Sequence, residues 1–171
     1  MNTVKSLSPI TTAASRRGSL LPVIAVAILV IGGCLALVLD RLWLTAARTE
    51  LRNATESAVL AAAARLADDE RLDEAPDASE RLTQSSMLAA RNAAAGNLVA
   101  GQPVGTDPSS GVDVRFGHHV PSDIGGPATF LETNVLPTSV QVQTIKTRRM
   151  GNPIARMFGG LVGEEYGDAV A

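Results

Sequence analysis

Ser19-Leu-Leu-Pro-Val-Ile-Ala-Val-Ala-Ile-Leu-Val-Ile-Gly-Gly-Cys-Leu-Ala-Leu-Val-Leu39 is a run of 21 residues without a single charge. As a helix it would be roughly 31 Å long, against a hydrocarbon core of about 30 Å. The run is therefore read as a transmembrane helix. Ser19, Leu20, Leu21 and Pro22 open it, and Leu39 closes it. Pro22 lies near the start, where a missing backbone N–H costs least. Gly32, Gly33 and Cys34 lie inside it. The glycine pair would permit close approach of another helix within the bilayer.

The flanks predict the direction. Lys5, Arg16 and Arg17 precede the run with no acidic residue among them, and Asp40 follows it. Retention of basic flanks on the cytoplasmic side keeps residues 1–18 inside as a basic leader. Everything after Leu39 is then sent outward, giving a single-pass protein of the inner (cytoplasmic) membrane.

Four other readings compete for the same stretch. A cleaved secretory signal has an apolar region of about 7–15 residues, shorter than this one, although Thr45-Ala46-Ala47 would serve as a cleavage site. Ile31-Gly32-Gly33-Cys34 is similar to a lipoprotein signal, but Leu35 to Leu39 continues the apolar helix where such proteins turn polar. Ser15-Arg16-Arg17 is a weak version of a twin-arginine signal. Gly18 before an apolar run is similar to a prepilin leader, but the fifth residue after it is Val23 where type IV prepilins usually carry Glu.

The helical pattern continues past the membrane. No proline or glycine occurs from Asp40 to Ala67. Leu44, Ala47, Leu51, Ala54, Ala58, Val59, Ala62 and Leu66 recur at spacings of three and four, which makes one apolar stripe. Arg48, Arg52, Asn53 and Glu56 fall mainly off it. The pattern predicts one rod over residues 19–67, half in lipid and half carrying a domain, with Leu44, Leu51, Ala58, Val59, Ala62 and Leu66 as its helix-packing stripe. Trp43 sits at the boundary, where interfacial aromatics sit; plain packing is its other reading.

A charged stretch, Asp68 to Asp77, broken by Pro76, predicts a solvated loop. Ser79 to Ala95 is a second helix closed by Gly96-Asn97. The period then changes. Val112 to Phe116 and Thr138 to Thr147 alternate as strands, the second with Val140, Val142 and Thr144 on one face. Asn152-Pro153 predicts the start of a short helix with Ile154, Met157, Phe158, Leu161 and Val162 along one side. Tyr166 to Ala171 reads as a last short strand. Residues 68–171 are thus a small α+β domain outside the cytoplasm, and residues 40–67 extend the anchor helix.

Composition limits the chemistry. Aromatics are 3% of the chain and the net charge is −2, so nothing points to nucleic acid. Cys34 is the single cysteine, which rules out an internal disulfide and a thiolate zinc cluster. His118 and His119 are neighbours, and on a strand they point to opposite faces. Glu164-Glu165 do not converge. Neither a phosphate-binding loop nor a Gly-x-Ser-x-Gly elbow occurs. The reading is of a protein without enzymatic activity, cofactor or small-molecule substrate.

Arg16-Arg17-Gly18, the apolar run with Pro22, Leu37-Val38-Leu39-Asp40, and Ala46-Ala47-Arg48-Thr49-Glu50-Leu51-Arg52-Asn53-Ala54-Thr55-Glu56-Ser57-Ala58-Val59-Leu60-Ala61-Ala62-Ala63 together resemble the TadE/TadG-like proteins of Tad-type (tight adherence, Flp) pilus assembly. Arg52 stands where that family has Gln, and Thr55-Glu56-Ser57 where it has Ala-Asp-Ala. Val23 in place of Glu favours the unprocessed TadG-like branch. The resemblance implies a pilin-like outer domain and a non-enzymatic role in pilus assembly. The implied partners are the lipid bilayer and other pilus-assembly or membrane proteins, met through helix packing. An envelope-anchored binding protein unrelated to pili is the alternative.

Overall fold

A computed structural model describes residues 20–105, 111–121 and 126–171. Ser19, the basic leader and Gly18 lie outside the described residues. The first element is a helix of 47 residues, α1 (Leu20–Leu66). Its second half is rich in alanine, the best helix former, and nothing after Gly33 breaks it. A 3-10 turn (Asp69–Leu72) follows within the charged stretch, and then α2 (Ala78–Ala95), closed by Gly96. Asp73 Oδ2 meets Arg81 at 2.6 Å across the start of α2.

Beyond α2 the chain is strand and turn. The elements are β1 (Leu98–Val99), β2 (Gln102–Pro103), β3 (Val112–Val120), β4 (Thr129–Glu132), β5 (Ser139–Lys146), β6 (Ile154–Ala155), the short α3 (Gly159–Val162), β7 (Tyr166–Gly167) and β8 (Ala169–Val170). The main sheet is antiparallel in the order β4-β3-β5-β8, with β1–β2 and β6–β7 as separate two-stranded ribbons. Opposite Val112, Val114 and Phe116 on β3 stand Thr144, Val142 and Val140 on β5. Alternation sends Val112, Val114, Phe116, Val142, Thr144 and Lys146 inward and Asp113, Arg115, Gln141 and Gln143 outward. Gly117 sits where β4 crosses so closely that a side chain would strike the Leu131 carbonyl.

The chain divides between Ala36 and Leu37 into two units. In the C-terminal unit one core joins the Leu37–Leu66 part of α1, α2 and the inner face of the sheet; Leu51, Leu82, Val99, Val112, Phe116 and Ile154 are among its members. The architecture is a long N-terminal apolar helix with a small α+β domain downstream.

Three expectations need correction. The strand expected at Val112–Phe116 continues to Val120, and His118 and His119 lie within it, because β4, which the sequence did not announce, pairs with exactly that extension. The helix expected from Asn152 does not form. Ile154-Ala155 pairs with Tyr166-Gly167 instead, and only Gly159–Val162 is helical. Two glycines at its start supply little helix propensity, and Gly163 at φ 76° ends it. Ile154 is buried, whereas Met157 and Leu161 are exposed, so the residues expected on one side do not share an environment. Finally, Tyr166–Ala171 is two strands, turned at Asp168, whose carboxylate accepts the Arg148 N–H at 3.0 Å.

Candidate functional site

The residues singled out from the sequence fall into two groups. Leu20, Leu21 and Pro22 form the first turn of α1, and every residue from Leu20 to Leu35 is exposed. A methyl group at Gly32 or Gly33 would meet nothing within 4 Å. Cys34 is a free, exposed thiol, and Leu39 is exposed as well. This segment is long and apolar enough to cross a membrane, and almost none of it is covered by the protein. An apolar helix exposed on all sides is a state that lipid, not water, satisfies.

The second group is brought together. Leu44, Leu51, Ala58, Ala62 and Leu66 are buried in the common core, and Val59 packs against it at the edge. Burying a leucine such as Leu51 contributes about 1.5–3 kcal/mol. The alanines contribute less area but let the sheet and α2 come close to the helix axis. At Thr55 the contact turns polar. Its hydroxyl donates to the Leu51 carbonyl at 2.9 Å and lies against the Thr144 hydroxyl of β5.

Four further residues complete this face, and none was evident from periodicity. Asp40 is only 4% exposed, and its Oδ1 accepts the Phe158 N–H at 2.9 Å. Trp43 donates its indole N–H to the Ala155 carbonyl at 3.0 Å and packs on the core, so its packing reading is realised. Glu50 Oε2 accepts the Ala100 N–H at 2.7 Å, holding the β1–β2 turn where Ala100 and Gly101 both have positive φ. Lys146, 2% exposed, turns into the core, and burial pushes its ammonium pKa below the ordinary lysine range. A charge next to an apolar run, such as Asp40, is visible in sequence; a partner 118 residues away is not.

Chemistry-bearing side chains elsewhere are held in structural contacts. His118 Nδ1 meets Thr138 Oγ1 at 2.9 Å, and His119 stands edge-on to Phe130 at 5.6 Å between ring centres. Glu164 pairs with Arg156 at 2.7 Å. Among the described residues no three His, Cys, Asp or Glu side chains are grouped so as to hold a metal.

α1 supplies Asp40, Trp43, Glu50, Thr55 and the buried stripe. Residues 18–65 match the family model of putative Flp pilus-assembly TadE/G-like proteins. The matched segment is α1 almost end to end, so the likeness resides in the helix and not in the sheet. It supports a relationship to the Tad proteins, in a description that spans both the TadE and the TadG branches. No curated protein and no solved structure matches the chain.

Proposed function

We propose that the chain is a non-enzymatic, membrane-anchored component of Tad/Flp-type pilus assembly, of the TadG-like branch. The observation that carries this reading is the coincidence of the matched segment with α1. Residues 19–39 anchor the protein in the inner membrane, residues 1–18 stay in the cytoplasm, and residues 40–67 extend the helix into a domain of residues 68–171 outside. The exposed Gly32-Gly33 pair supports lateral packing against other membrane helices of the assembly machinery, since small residues let helix backbones approach in lipid. Val23 supports retention of the leader.

In a host that makes these pili, deleting the gene should abolish or sharply reduce them. Wild type should restore them, and a Gly32→Leu/Gly33→Leu double variant should restore fewer at equal protein level. Unchanged piliation on deletion would remove the pilus role. Orientation is tested separately by fusing, after Ala171, a reporter active only outside the cytoplasm; a stable but silent fusion would reverse the topology. Mass spectrometry that found Ser19 as the mature N-terminus would move the protein to the processed branch.

A further inference from the structure

The hairpin of β6 and β7 is placed against α1 in an ordered way. Its stem meets the helix at Leu44, where a side chain on Gly167 would come within 2.6 Å of Leu44 Cδ2, and at Trp43, which bonds the Ala155 carbonyl. Its tip meets the helix at Asp40 through the Phe158 N–H. The contacts therefore descend α1 from residue 44 to 43 to 40, toward the end of the apolar run. The tip is held in shape by bonds at its base: Arg156 N to Glu165 O at 2.9 Å, Glu164 N to Gly159 O at 3.1 Å, and the Arg156–Glu164 ion pair, which neutralises the tip's Arg156. From that frame Met157 and Leu161 project into solvent, 63% and 77% exposed. Leu37, Val38, Leu39 and Leu42, on the same stretch of helix, are also exposed.

We propose that the tip, residues 156–163, is a second membrane contact, with Met157 and Leu161 seated in the headgroup layer of the bilayer that holds the anchor. Continuity selects lipid as the occupant. The tip is pinned at the first residue after the apolar run, the level at which an anchor helix leaves the hydrocarbon, and its Met157 and Leu161, like Leu37, Val38, Leu39 and Leu42 of the helix to which it is bonded, are exposed. Pinning through a backbone N–H to a buried carboxylate sets the depth of the tip by geometry and leaves both apolar side chains free for lipid. The C-terminal unit would thereby be held against the membrane at two points, the helix and the hairpin.

The inference rests on residues 19–39 being the anchor, and the test separates the two. The full chain is reconstituted in phosphatidylcholine/phosphatidylglycerol vesicles and spin-labelled at one thiol at a time. Collision with oxygen, which concentrates in lipid, is compared with collision with a water-soluble nickel chelate. A label on the native Cys34 reports the anchor. In a Cys34→Ser background, Leu161→Cys and Met157→Cys report the tip, and Val135→Cys, an exposed site distant from it in sequence, gives the aqueous reference. Unchanged Trp43 fluorescence certifies that each variant is folded. Expected is a lipid-embedded Cys34 and, at 157 and 161, a several-fold lower nickel collision rate than at 135 with oxygen collision retained. Nickel access at the tip equal to that at 135, with Cys34 embedded, would overturn the tip contact alone; an aqueous Cys34 would overturn the anchor itself. Labels at 157 and 161 shielded from both reagents would mean a protein surface covers the tip, which also overturns the proposal.

Discussion

The two ends of α1 are both apolar, and the protein treats them in opposite ways. From Leu20 to Leu35 leucine, isoleucine and valine occupy every side of the helix, and all of them are exposed. From Leu44 to Leu66 apolar residues hold one side, mostly as alanine, and that side is buried under the sheet and α2. The difference teaches that apolar content alone does not say what a helix is buried in. Distribution around the axis does: an unbroken apolar surface calls for an apolar solvent, and a stripe calls for a protein neighbour. Residue size follows the same logic. Bulky side chains suit fluid lipid, and alanine suits a sheet that must lie close.

Substitutions can break that comparison, and the largest effect is expected at Ala58, which is fully buried. Ala58→Asp places a carboxylate in the core at a cost of more than about 3 kcal/mol unless it is neutralised. Limited proteolysis of membrane-inserted protein should then lose its resistant C-terminal fragment. Survival of that fragment would mean the stripe contributes little to the fold.

In the other half, Ile28→Arg should cost about 3 kcal/mol of membrane insertion. It would be seen as protein released by alkaline extraction. Ile28→Ala should leave thermal unfolding of the C-terminal unit unmoved; a shift there would mean that protein, not lipid, holds the first half.

A smaller effect, of opposite sign, is expected at Lys146. Burial favours its neutral form in the folded state, so the unfolded chain binds more protons over the interval between the depressed and the ordinary lysine pKa. Wild-type stability from this group should rise as pH climbs through that interval. Lys146→Met should stabilise the fold by about 1 kcal/mol near neutral pH and flatten the rise. Thermal unfolding from about pH 8 to about pH 10 measures both. The smallest effect belongs to the outer surface of the helix. Arg52 and Glu56 form an exposed pair at 2.8 Å, and Arg52→Ala should change stability by no more than about 0.5 kcal/mol.

The sequence alone determined the helical half of the protein. The charge-free run, the absence of breakers from Asp40 to Ala67, the three-and-four spacing from Leu44 to Leu66, and the helix closed by Gly96 are local properties, because helices satisfy their hydrogen bonds within a few residues. The strong alternation of residues 139–146 was legible for a similar reason, one face of β5 being buried. Tertiary structure decided what depends on distant partners. β4 has a weak pattern and exists because it extends β3 past Gly117. Residues 154–162 have a helix-like spacing, yet Ile154-Ala155 forms a hairpin with Tyr166-Gly167, whose stem seats on Trp43 and Leu44. Asp40 looked like the charge that ends an anchor; its burial under Phe158 requires a segment 118 residues later to fold back. Lys146 is a charged residue in the β5 sequence, and its burial depends on the fold, in which it is paired with Ala169 of β8. Each of these depends on loop closure and long-range packing, whose free energy is shared among many residues and leaves no periodic trace in any one stretch of sequence.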